Sequence, residues 1–123
     1  YMKIAENYKK QGNFSQARSF YRNALAAQPS AGRAYLQIAS MYAQSANNCG
    51  ETTFEKRAVY WLAADYAARA GRVDPSLSRI ANESVAAYKG RAPQKADVFQ
   101  EGKQGQTIRI SCWIGESVKV PAL

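Results

Sequence analysis

Histidine is missing from this sequence altogether, and with it the base of Ser-His and Cys-His nucleophilic pairs and the commonest zinc ligand. Two cysteines, Cys49 and Cys112, remain. They are too few to build a structural metal site alone, and they leave open either one disulfide or two separate thiols. Of the nine carboxylates, Glu51 and Glu55 stand closest to a pair, but they straddle a loop-to-helix boundary and nothing places a second polar group beside them. The expectation is a chain with no enzymatic activity, no metal and no cofactor. Seventeen Lys and Arg against nine Asp and Glu give a net charge of +8, which attracts acidic peptides, nucleic acid or anionic lipid. The excess is spread over several segments, from Lys9-Lys10 through Lys56-Arg57 to Arg69, Arg72 and Arg79. No basic run is interleaved with aromatics as a single-strand binder prefers, so a solvated basic surface is the favoured reading.

The elements that carry these residues follow from the apolar spacing. Tyr1, Ile4, Ala5 and Tyr8 form an i, i+3, i+4, i+7 stripe, the mark of an amphipathic helix. Gly12-Asn13 breaks it, and Phe14, Ala17, Phe20, Tyr21, Ala24 and Leu25 make a second helical face. Small residues opposite large ones allow close backbone approach. The first stripe returns at Tyr35, Ile38, Ala39 and Tyr42, 34 residues on (35 − 1). No apolar run reaches the ~18 residues of a membrane span.

As it stands, Tyr1-x2-Ile4-Ala5-x2-Tyr8, then Ala17-x3-Tyr21, Ala24-Leu25 and Pro29 resembles the tetratricopeptide repeat (TPR) family, whose pattern is W-x2-L-G-x2-Y, A-x3-F and P on a period of about 34 residues. Tyr1 stands for the usual tryptophan and Ala5 for the usual glycine. Tyr1 also lies inside the first helix with no capping residue before it, so the chain is expected to be a fragment of a longer protein. The resemblance implies a mainly α protein, a right-handed helical-hairpin solenoid of about five helices. Repeat one covers 1–30, repeat two 31–75 and a capping helix 76–89, together 1–92. Pro75 follows Pro29 by 46 residues (75 − 29), about 12 beyond the family period, which places an inserted loop at 45–53 with Thr52 or Thr53 capping the next helix. That helix, 54–72, is the most apolar, and Gly71 is read as ending it. The stretches 54–65 and 112–116 are similar to the C-terminal portion of envelope-associated TPR proteins of some Gram-negative bacteria. This implies no catalytic activity and a periplasmic or cell-envelope location, with the cytoplasm as the alternative.

Residues 93–123 read as a linker and cover within the same compact domain, with a short helical turn at 95–99. Ile108, Ile110, Cys112 and Ile114 alternate with polar neighbours, predicting a half-buried strand, and 118–120 a second. A three-residue turn sets Ile114 opposite Val118 and Cys112 opposite Val120, giving an antiparallel β-hairpin that packs on the last helix and on 54–72. Cys112 then faces inward. A Cys49–Cys112 bridge ties the insertion to the cover in an oxidising compartment, and two free thiols are the outcome in a reducing one.

In TPR proteins the first helix of each repeat lines the concave face. Carried onto this chain, the resemblance implies a partner-binding set of Glu6 and Lys9, then Arg33, Leu36, Gln37, Ser40 and Gln44, then Arg79, Asn82, Glu83 and Ala86. Amides there both donate to and accept from a peptide backbone, and Arg33 and Arg79 suit a carboxylate. Met2 and Glu6 occupy two places of the family's chaperone-binding clamp, so that docking mode is not expected. The function implied is a non-catalytic protein–protein interaction scaffold binding a peptide or protein partner. The alternatives are a basic module for nucleic acid or an anionic polymer, separable by its steep salt dependence, and a self-assembly element of a larger envelope protein.

Overall fold

The computed structural model of the chain describes residues 1–122. Among them six α-helices precede a two-stranded antiparallel sheet: α1 Met2–Lys10, α2 Phe14–Ala27, α3 Gly32–Ser45, α4 Thr53–Val73, α5 Ser78–Arg91, α6 Lys95–Glu101, β1 Thr107–Arg109 and β2 Ser117–Lys119. Helices adjacent in sequence pack on one another from α1 to α5. Their boundaries have local causes. Asn13 caps α2 by accepting from the Gln16 N–H, and Gly12 before it takes a left-handed φ of 79°. Thr52 caps α4 in a reciprocal capping box with Glu55. The link expected as an inserted loop at 45–53 covers 46–52, because Ser45 ends α3 and Thr53 opens α4, and one 3-10 turn, Ala46–Asn48, follows α3 directly.

Three expectations are corrected. Gly71 does not end its helix, because α4 runs on to Val73. A Cβ at Gly71 meets the Ala81 Cβ at 3.1 Å, so its role is close packing of α5 on α4. The short turn at 95–99 is a seven-residue helix, the sixth where about five were expected. Its start is closed by Gln94 and Asp97 and its end by Gly102 in the left-handed region.

The third correction concerns the cover. Its strands pair with Ile108 opposite Val118, not Ile114. The six-residue shift (114 − 108) is even, so the inward face of β2 is kept, but residues 110–116 are a loop rather than strand. Cys112 sits there at φ 72° and Gly115 at φ 59°, which ends extended pairing. Cys112 is therefore exposed rather than inward-facing. Ile110, Ile114, Val118 and Val120 are buried and join one core with Ala5, Tyr21, Tyr42 and Leu62. The cover packs on α4, and Ile80 on α5 stays 45% exposed.

Candidate functional site

The positions expected on the concave face fall into two groups. Lys9 on α1 reaches across to α3, where its Nζ donates to Gln37 Oε1 at 2.5 Å and to Ser40 Oγ at 3.5 Å. Gln44 Nε2 donates to the same Ser40 Oγ at 3.0 Å. Helical spacing brings Gln37, Ser40 and Gln44 to one side of α3, and Gly32 lets the start of α3 approach α4 closely, since a Cβ there lies 2.7 Å from the Ala70 carbonyl oxygen. With Glu6 and Lys10, the residues Lys9, Gln37 and Gln44 line an open groove of about 290 Å³. Burial lowers the Lys9 pKa below the ordinary lysine value, and the Glu6 carboxylate offsets part of that. The Gln37 amide N–H2 and the Gln44 amide oxygen make no hydrogen bond among the described residues, so the groove offers both a donor and an acceptor. Leu36 is half-buried against the core, and Arg33 is exposed.

The α5 residues do not join this group. Arg79 Nε donates to Glu83 Oε1 at 3.3 Å along the exposed side of the helix, a contact solvent leaves weak. Asn82 lines a different groove with Ala68, Gly71, Arg72 and Ser78. Ala86 is exposed.

A second constellation was not foreseen. Glu116, at the end of the cover loop, accepts from the Tyr42 hydroxyl of α3 and from the Tyr66 hydroxyl of α4 at 2.8 Å. Arg18 and Arg22 of α2 lie 3.8 and 3.5 Å from the same carboxylate. Arg18 also donates to the Ile114 carbonyl at 2.6 Å and the Trp113 carbonyl at 3.1 Å. Its guanidinium stands 5.0 Å from the Trp113 ring centre. The indole N–H of Trp113 donates to Ser45 Oγ at 2.9 Å. A disulfide joins Cys49 to Cys112, with Cα atoms 5.3 Å apart. Three helices thus hold one loop by side chains. The Cys49–Cys112 bridge is one of the two outcomes the sequence left open; for the rest, the hint in the sequence is two arginines, Arg18 and Arg22, beside the apolar face of α2.

Comparison with protein-family models, with curated proteins and with solved structures finds no match for this chain. No helix among the described residues is long and apolar enough to cross a membrane.

Proposed function

We propose that this chain is a non-catalytic interaction module of TPR type, whose α1–α3 face binds an extended peptide segment of a protein partner. The observation that carries the reading is the groove itself: Lys9 and Gln37, from the two helices whose apolar stripes stand 34 residues apart, meet in it with hydrogen-bonding capacity to spare. The right-handed solenoid arrangement belongs to the same proposal, supported by the sequential packing of α1 to α5. The Cys49–Cys112 disulfide supports an oxidising location such as a periplasm or cell envelope.

Selection of a random peptide library displayed on phage against the oxidised chain tests the reading. Enriched peptides should bind a Lys9→Ala, Gln37→Ala double variant about tenfold more weakly, while its thermal midpoint stays within a few degrees of the parent. Equal binding to the double variant would sink it.

A further inference from the structure

The α1–α3 groove has a neighbour with different chemistry. Gln44 also lines a second open groove, of about 370 Å³, whose walls include Phe14, Ser45, Asn48 and Trp113. Phe14 and Trp113 meet edge to face there, with ring centres 5.8 Å apart. The Trp113 ring is held rather than free: its N–H is fixed to Ser45, Arg18 lies over it, and Tyr42 packs at 5.4 Å. The two ends of the disulfide are chain neighbours of two of these walls, Asn48 beside Cys49 and Trp113 beside Cys112. An aromatic surface ordered in advance loses little entropy when it takes up an apolar group. Among the described residues no titratable side chain lines this second groove, whereas the first carries Lys9, Lys10 and Glu6.

We propose that the two grooves form one site that turns at Gln44, with the cover supplying an anchor pocket for an apolar side chain and α1 supplying cations for an acidic one. The occupant is an extended peptide bearing both. This rests on the interaction reading above and adds the chemical class of its partner. Gln37 and Gln44 are seven residues apart (44 − 37), about 10 Å along a helix, which an extended peptide spans with about three residues. Gln44 is where the site turns, so the apolar and acidic residues of the partner should be separated by at least that number. Gln44, midway, has a free amide oxygen for the peptide backbone between them.

The same phage selection, read by sequence and followed by two variants, decides the matter. Asn48→Trp fills the anchor pocket from an exposed position. Ser15→Trp, at another residue lining this groove and also exposed, replaces it if the first does not fold. The expected result is enrichment of peptides with an apolar residue at least about three positions from Asp or Glu, whose affinity falls on the order of tenfold in the pocket-filling variant and in the Lys9→Ala, Gln37→Ala variant alike. Peptides that lose affinity for the Lys9, Gln37 variant alone would overturn the anchor pocket and leave the interaction module standing. Loss in the pocket-filling variant alone, with binding to the Lys9, Gln37 variant unchanged, would overturn the composite site and the proposed function with it. Equal binding to both variants, or no enrichment, would overturn this inference and the proposed function together.

Discussion

Arg18 carries more of the tertiary structure than its place on α2 suggests. One guanidinium binds two cover carbonyls, the Tyr42 hydroxyl and the neighbourhood of the Glu116 carboxylate. Arg18→Met keeps the stem but leaves those acceptors unpaired, so we expect about 2–3 kcal/mol of lost stability in urea denaturation. Tyr21 is the opposite case. It is fully buried, and its hydroxyl has no hydrogen-bond partner among the described residues. Tyr21→Phe should raise stability by about 1 kcal/mol in the same assay. Burial, with Glu6 adding, also pushes the Tyr21 pKa from 10.0 up to about 12. Because the folded value is the higher one, its contribution is complete below pH 10 and is lost as the pH rises towards 12. The slope of stability against pH in that window should be shallower in Tyr21→Phe. It should not vanish, since burial and then the hydrogen bond to Glu116 also raise the Tyr42 pKa. Sequence spacing identified Tyr21 and Tyr42 as core residues because periodicity reports which side of a helix is covered. It could not show Arg18 at work, because the carbonyls it binds lie 95 and 96 residues away and an arginine beside an apolar stripe reads as solvated.

At the level of elements, the disulfide and the cover loop depend on each other. The bridge spans 63 residues, and in the chain-entropy account closing such a loop contributes about 4 kcal/mol by restricting the unfolded chain. A Cys49→Ser, Cys112→Ser variant should therefore unfold at clearly lower urea without losing its helical circular dichroism at pH 7, since the four buried cover side chains remain in the core. Loss of helix in that variant under native conditions would show that the cover is held by the bridge alone. The helix starts were legible in sequence because caps are local: Thr52 was one of two candidates and is the cap. The hairpin was legible as a pairing but not in register. Alternation continues to Ile114, yet a left-handed Cys112 and the grip of Arg18 on the loop end the strand at Arg109. Of the site residues implied on three helices, α1 and α3 bring five together, whereas the α5 set faces elsewhere. A repeat pattern assigns equivalent positions to each helix, but the local neighbours of each position decide whether they share a groove.

For the whole molecule, the bridge changes how the chain is connected. From Cys49 the covalent path reaches Cys112 without passing through α4, α5, α6 or the first strand. Pulled from handles at its two ends, the oxidised chain transmits tension through α1 to α3 and then across the sulfur atoms. The interval between the cysteines, roughly 220 Å of extended chain at ~3.5 Å per residue, bears no load. Single-molecule stretching should therefore give a final extension shorter by about that length in the oxidised protein than after treatment with a dithiol. A machine that threads proteins as a single strand would meet the same obstacle: drawn in from the C-terminal side, the chain presents two strands side by side once Cys112 is reached, while the longest helix, α4, is still under no tension.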